Sequence, residues 1–334
     1  MITADDFGFG VATSAGIIHA HLHGPVGRTS MMVVTGDHAM ASAQLLGEAP
    51  KLKVGLHLVF TDVGAAALAA TRSSGFVHAQ GRFLSIQQLY FRCVSGRIDS
   101  SAVFDEICAQ AELFGKLVGT PPSHVDGHHH AHQFPVIRQA MLRAMSAGVL
   151  PRATRRTVEP PGMLASVPSC RPRRMILNVL GQSASADFRR EGVWVNDHFF
   201  GVLGETDLKQ ENPWQGYLAA LPRRGSVEWM VHPGFYDESL VGRDSYIKGR
   251  VLELAALTSP AITAEDIRSR ASIEDGGAKL ARIETTVRAH GHSADHCLSL
   301  VRGEKSGGSA ADPARGGADV RALQTAADGP SGPS

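Results

Sequence analysis

The sequence predicts an α/β fold built on parallel strands. Apolar, strand-like segments alternate with helix-like segments, and seven candidate strands lie near residues 2, 29, 54, 124, 149, 194 and 227. Strands that alternate with helices are expected to pair in parallel. Polar residues also collect where several of these strands end, and ligands bind at the carboxyl ends of parallel strands in barrels and open sheets alike. The pattern is compatible with either architecture.

The first half of the chain carries clear element signals. Residues 52–60 alternate with the period of a half-buried strand, and the apolar residues of 101–118 recur at helical spacing. Gly24 and Pro25 end the first helix. In order, we predict a strand at 2–4, a helix at 12–23, a strand at 29–34, a helix at 38–48, a strand at 52–60, a long loop at 61–85 and a helix at 101–118.

The second half is less regular. Pro135 suits the first turn of a helix, whereas residues 159–192 are rich in proline and arginine and give no readable pattern. The remaining predicted elements are a strand into 124–126, a helix at 135–147, strands at 148–155, 193–199 and 226–231, and a helix at 246–257.

The end of the chain differs in composition from the rest. Val320 and Leu323 are the only large aliphatic residues in 303–334. So little apolar area cannot offset the entropy lost on ordering, so we expect a disordered tail there. Residues 271–302 are predicted to form an extension of uncertain structure.

The overall composition excludes several classes of partner. The 334 residues are 43% hydrophobic, and 33 Lys and Arg residues nearly balance 32 Asp and Glu residues. This balance predicts neither a nucleic-acid partner nor a membrane partner. No apolar run reaches the roughly 20 residues of a membrane span, and the first residues lack a secretory pattern. We therefore expect a cytoplasmic protein.

Six of the 16 histidines lie in two short segments, five of them in the second. His57 lies in an apolar strand, beside small neighbours that leave room for a ligand. A second segment, 124–132, contains five histidines, and its extended geometry would turn His124, Asp126 and His128 to one side. A lone strand histidine is more often a hydrogen-bonded core residue, and a histidine-rich loop can bind metal without function. Each segment alone therefore leaves both interpretations open.

Two further motifs lie at predicted strand ends. Asp5 and Asp6 follow the first strand, where they could cap a helix or serve as a metal ligand beside a catalytic base. His232, before Pro233 and Gly234, could belong to an ordinary turn or act as a general acid. Two histidines and one carboxylate would form a facial ligand set with open positions, which is typical of catalytic rather than structural metal sites.

Four motifs occur in an order that resembles the YdjC-like carbohydrate deacetylases: ITADDFG, GLHLVFT, SHVDGHHHAHQFP and MVHPGF. The resemblance covers roughly residues 2–262. It implies a distorted (β/α), TIM-like barrel over residues 1–270. It also implies hydrolysis of the acetamide of N-acetylglucosamine or chitooligosaccharide substrates with a divalent cation. A homodimer is compatible with it.

The resemblance also assigns roles to individual residues. Asp6, His57 and His128 match the metal ligands, Asp5 matches the catalytic base and His232 matches the late active-site histidine. Substrate contacts are expected from four others: Asp126, His130, Arg152 and Asp197.

The cation and the reaction class each have an alternative. Magnesium is the family expectation, although two imidazole ligands favour zinc or another transition metal. The rival functions are a metal-independent glycoside hydrolase with paired carboxylates and a noncatalytic protein that binds sugar or metal.

Overall fold

The structure, a computed structural model, describes residues 1–64, 67, 74–204, 207–210, 212–222 and 224–259. The predicted extension at 271–302 and the predicted tail at 303–334 lie outside these residues. The described strands form one parallel sheet of eight strands. They are β1 (Ile2–Phe7), β2 (Arg28–Met31), β3 (Lys53–Leu58), β4 (Val125–Gly127), β5 (Ala153–Thr154), β6 (Trp194–Val195), β7 (His198–Phe200) and β8 (Val227–Val231).

Helices connect the strands and cover the sheet. Those described are α1 (Val11–His23), α2 (Asp37–Leu45), α3 (Ile86–Val94), α4 (Ser100–Val118), α5 (Pro135–Ser146), α6 (Met163–Ser166), α7 (Arg171–Arg190), α8 (Gln215–Ala219) and α9 (Ile247–Leu257). None of these helices is both long and apolar enough to cross a membrane.

The parallel α/β architecture is confirmed, and the sheet curls into a half-barrel. Its strand order is β6-β5-β4-β3-β2-β1-β8-β7, so β6 and β7 form the two edges although only Asn196 and Asp197 separate them in sequence. The single strand predicted at 193–199 is therefore two short strands with different neighbours. Among the described strands, β6 and β7 are not paired with each other, so the expected distorted barrel is present as a half-barrel.

The boundaries of several helices follow from local capping chemistry. The side chain of Asp99 accepts hydrogen bonds from the first amides of α4, and Gly119 ends that helix in the left-handed conformation. Ser85 and Gln88 form a reciprocal capping box at the start of α3. These signals explain why the predicted and observed ends of α4 agree closely.

The 20-residue helix α7 was not predicted. Its buried face combines Leu177, Ala184 and Phe188 with Arg174, Gly181 and Ser185, so polar and small residues interrupt its apolar stripe. Arg174 is buried because its guanidinium pairs with both carboxylate oxygens of Glu159, at 2.6 and 2.8 Å. A buried arginine and a glycine within the inner face weaken the apolar pattern at helical spacing.

Candidate active site

A cavity of about 730 Å³ opens at the carboxyl ends of the strands. Asp5 and Asp6 enter it from β1 and His57 enters it from β3, while His128 and His232 follow β4 and β8 directly. Because these strands are parallel, their carboxyl ends meet on one rim. Five residues that the sequence singled out therefore share one cavity.

Asp6, His57 and His128 form a buried cluster at this cavity. Asp6 Oδ1 lies 3.3 Å from His57 Nε2 and 3.2 Å from His128 Nδ1. One potential ligand atom from each residue lies within 4.8 Å of the other two, and all three residues are buried. Three donors at this spacing, approaching from separate strands, could hold one metal ion.

The backbone around Asp6 is held in a sparsely populated conformation. Asp6 has a φ of 69° and Gly8 a φ of 88°, and the register of β1 against β2 shifts between Ala4 and Phe7. A Cβ on Gly8 would lie only 2.4 Å from the carbonyl oxygen of Met32. Such strain persists only where the surroundings enforce it, and here it turns the Asp6 side chain toward the two histidines.

The second oxygen of Asp6 is fixed by α9. Arg250 Nη2 donates to Asp6 Oδ2 at 2.6 Å, and Arg250 Nε donates to Asp244 at 2.6 Å. Burial would raise the pKa of the Asp6 carboxyl, but Arg250 and His128 hold it well below the usual range. Asp6 is therefore an oriented carboxylate with its other oxygen facing the histidines.

The orientation of His57 is set by Asp126. His57 Nδ1 lies 2.6 Å from Asp126 Oδ1, which leaves Nε2 directed at Asp6. Burial alone would lower the pKa of His57, but Asp126, Asp6 and Asp5 together raise it to about 10. The carboxylates thus favour positive charge at Nε2, where a cation could replace the proton.

His128 has the opposite electrostatic environment. Burial and the neighbouring His129 lower its pKa to about 4, although Asp6 opposes this. The imidazole is therefore neutral near pH 7, which is the form that binds metals. The donor set as a whole, one carboxylate and two imidazoles within a negative surrounding, fits a divalent cation.

Asp5 is paired with Arg155, a residue that the sequence reasoning missed. The guanidinium donates to both oxygens of Asp5, at 2.5 and 2.6 Å, and also contacts Asp126 at 2.9 Å and Glu228 at 2.8 Å. Burial and the nearby Asp126 outweigh Arg155 and raise the pKa of Asp5. Asp5 is thus a carboxylate with a fixed orientation and an increased affinity for protons.

His232 is coupled to Glu253 of α9. The His232 backbone N–H donates to Glu253 at 2.6 Å, its Nδ1 lies 3.8 Å from the same carboxylate, and Tyr246 donates to it at 2.7 Å. Burial would lower the pKa of His232, but the hydrogen bond and charge of Glu253 outweigh it and the pKa is raised. A histidine whose protonated form is favoured by a neighbouring carboxylate suits a general acid.

The four predicted substrate contacts have different positions. His130 lines the cavity, with its ring 5.5 Å from that of Phe199. Asp126 is fully buried behind His57, so it positions a candidate ligand instead of facing the cavity.

The structure does not bring Arg152 or Asp197 to the cavity. Arg152 precedes β5, at the opposite end of the strand, and its exposed side chain donates to the carbonyl of Glu191. Asp197 is exposed in the link between β6 and β7, where it accepts a hydrogen bond from the amide of Ser226 at 2.8 Å. Arg155, directly after β5, lies at the carboxyl end of that strand, where it contacts Asp5 and does not line the cavity.

Comparisons with known proteins identify the family of this chain. The family model described as YdjC-like protein matches residues 1–265. A chitooligosaccharide deacetylase from Yersinia pestis (strain Pestoides F) is 30% identical over 266 residues, which cover 78% of this chain and 91% of that protein. A carbohydrate deacetylase from Vibrio vulnificus is 33% identical over 260 residues, covering 78% of this chain and 87% of that protein.

A solved structure shares the fold. It is the crystal structure of a candidate cellobiose-phosphate cleavage protein from Enterococcus faecalis V583, with a TM-score of 0.63 and 24% identity. The match covers 83% of this chain and 96% of that chain. The four motifs and the cavity that they share agree with the family model and the two deacetylases. These findings show that this chain belongs to the YdjC-like family.

Proposed function

We propose that this protein hydrolyses the acetamide group of an N-acetylated sugar of the N-acetylglucosamine or chitooligosaccharide type. One observation carries the proposal: Asp6, His57 and His128 offer three ligand atoms within 4.8 Å of one another, in a cavity that Asp5 and His232 also line. A ligand set, a base candidate and an acid candidate are the groups that amide hydrolysis needs. The names of the related deacetylases support the same reaction.

We propose Asp6, His57 and His128 as the ligands of a divalent cation. When bound, the cation would supply Lewis acidity toward the acetamide carbonyl and the attacking water. Magnesium is the expectation from the family resemblance, whereas two imidazole nitrogens favour zinc or another transition metal. Activity measured with each metal decides between them.

Asp5 is proposed to accept a proton from the attacking water. Its carboxylate is one residue from Asp6, and Arg155 fixes both of its oxygens. The raised pKa of Asp5 makes the carboxylate a stronger base than an exposed aspartate. Arg155 contacts Asp5 without lining the cavity, so its role is to position the base.

His232 is proposed to donate a proton to the departing amine nitrogen. Glu253 holds it from behind and favours its protonated form. Phe9 and Tyr246 give the cavity aromatic surface beside its polar groups, a combination suited to a sugar ring with a polar substituent. The reaction would yield acetate and a free amino sugar.

Acetate release tests this function directly. The full chain is assayed on N-acetylated mono- and oligosaccharides with magnesium, with zinc and with a chelator. We expect metal-dependent release that His128→Ala abolishes and that Asp197→Asn, an exposed control, leaves unchanged.

The alternatives predict other outcomes. Cleavage of a glycosidic bond in the presence of chelator would identify a glycoside hydrolase. Sugar or metal binding without acetate release, across the full substrate panel, would identify a noncatalytic binding protein.

A further inference from the structure

Two helices expose apolar faces of the same form. Among the described residues, six of the ten exposed large apolar side chains lie on α3 and α7. On each helix they occupy positions i, i+1 and i+4, so they share one side. The α3 face consists of Tyr90, Phe91 and Val94, and the α7 face consists of Met175, Ile176 and Val179.

Both faces belong to helices that begin at the active-site cavity. α3 follows β3 and α7 comes after β5, and these strands flank β4 in the sheet. Gln87 at the start of α3 and Arg173 at the start of α7 line the cavity. The segment after β4 lies between the helices, because Tyr90 contacts Phe134 with ring centroids 5.6 Å apart and α7 packs on the turn His128–Gln133.

The two faces also share a local charge bias. No aspartate or glutamate occurs in residues 63–98 or in residues 160–186, the segments that contain α3 and α7. At the two ends of the first segment, Asp62 accepts a hydrogen bond from the Ile86 amide and Asp99 caps α4. Exposed arginines lie beside the apolar residues: Arg82 and Arg97 flank α3, and Arg171 begins α7. Such a surface has apolar residues at its centre and basic residues at its edge. It is complementary to a bilayer whose anionic headgroups cover apolar acyl chains.

We infer that the α3 and α7 faces dock the cavity mouth onto an anionic lipid bilayer. The apolar side chains would enter the boundary between headgroups and acyl chains, and the arginines would contact the anionic headgroups. A second copy of this chain fits less well, because it would oppose one basic surface to another. The balanced net charge of the whole chain predicted no membrane partner. That net value does not reveal that the α3 and α7 segments are locally basic.

Vesicle flotation with the full chain tests the inference. We expect binding to vesicles that contain phosphatidylglycerol in phosphatidylcholine, little binding to phosphatidylcholine alone, and release as the salt concentration rises. The paired substitutions Phe91→Glu with Val94→Glu, and Ile176→Glu with Val179→Glu, should each reduce binding at least about tenfold. Met40→Glu on α2 is the control, since Met40 is similarly exposed and does not line the cavity.

Circular dichroism shows whether each variant folds. Acetate release from a soluble sugar should be unchanged in both double variants, because none of the four substituted positions lines the cavity. If a glutamate pair prevents folding, Arg97→Gln with Arg171→Gln replaces it and should also weaken binding. Failure of the wild-type chain to bind anionic vesicles would overturn the inference. So would folded variants that bind like wild type, or a dimer in light scattering that these substitutions dissociate.

Discussion

Arg155 and Asp5 form a buried pair in which one guanidinium donates to both oxygens of one carboxylate, at 2.5 and 2.6 Å. The same guanidinium contacts Asp126 and Glu228, so a single cation is shared by three buried carboxylates. Removing a partner from such a group leaves charge buried without compensation. Arg155 therefore supports three groups: the base candidate Asp5, the Asp126 that orients His57, and the Glu228 buried in the sheet.

Replacing Arg155 should therefore destabilise the protein as well as inactivate it. We expect Arg155→Met to lower the free energy of unfolding by about 3–5 kcal/mol, because three carboxylates lose their partner. Urea denaturation followed by circular dichroism measures the change. Arg152→Met is the matched control, since the exposed Arg152 should contribute little. Equal stability of the two variants would contradict this account of the cluster.

Asp126 should influence metal affinity without being a ligand. It holds His57 Nδ1 at 2.6 Å, and such supports of metal-binding histidines typically contribute 10- to 100-fold in affinity. We expect Asp126→Asn to weaken binding of zinc by about that factor, measured by calorimetric titration. Asp197→Asn serves as the exposed control. Unchanged affinity in Asp126→Asn would mean that His57 is oriented by other contacts.

Glu253 should set the alkaline limit of activity. If His232 acts as an acid, activity falls as the pH rises through its pKa, which Glu253 raises. Glu253→Gln lowers that pKa, so the alkaline limb of the kcat/KM profile should move to lower pH. The exposed Glu191→Gln should not move it. A fixed limb in Glu253→Gln would remove His232 from the role of acid.

Gly8 should tolerate substitution less well than Gly36, a glycine that also has a positive φ. Gly8 and Gly36 have φ values of 88° and 65°, but only Gly8 has a neighbouring backbone oxygen within 2.4 Å of an added Cβ. We expect Gly8→Ala to lower the free energy of unfolding by about 1–3 kcal/mol more than Gly36→Ala. Thermal or urea denaturation gives both values. Similar losses would show that the contact with Met32 relaxes freely.

Buried neutral histidines should make the protein sensitive to acid. Burial, reinforced by Arg28, lowers the pKa of His124 to about 3, and Asp126 only partly opposes this. Below pH 6.5 the unfolded chain therefore binds a proton that the folded chain does not. Stability attributable to His124 should fall by about 1.4 kcal/mol per pH unit as the pH drops from 6.5 toward 3.

The comparison of His124→Gln with wild type isolates this contribution. Unfolding free energies measured between pH 7 and pH 5 should decline less steeply in His124→Gln. His78→Gln, which changes an exposed histidine, should keep the slope of wild type. Identical slopes in all three proteins would assign the acid sensitivity to other groups.

The convergence of the ligand candidates was foreseeable because parallel strands end on one rim. Asp6, His57 and His128 needed only the correct strand assignments to be brought together. Arg155 was not foreseeable with the same certainty, since β5 has two residues and three arginines lie within five positions of one another. An error of three residues along a short strand moves a side chain from one end of the sheet to the other.

The contributions of α9 had no local signal at all. Arg250 reaches Asp6 across 244 positions and Glu253 reaches His232 across 21. In the sequence both residues look like ordinary charges on an amphipathic helix. Their roles depend on where that helix packs, which spacing alone does not determine. The split between β6 and β7 is hidden for the same reason, because the polar pair Asn196-Asp197 between the two strands does not reveal which strands become their neighbours.

Asn196 occupies the crossing between those two edges. Its side chain accepts from the amide of Arg156 at 2.8 Å and donates to the carbonyls of Arg156 and His198, each at 2.8 Å. The Asn196 side-chain amide thereby supplies hydrogen bonds to main-chain groups where backbone pairing is interrupted between β6 and β7. A leucine at position 196 would leave three main-chain groups without these hydrogen bonds. Substitution of Asn196 therefore requires compensating changes in the neighbouring residues.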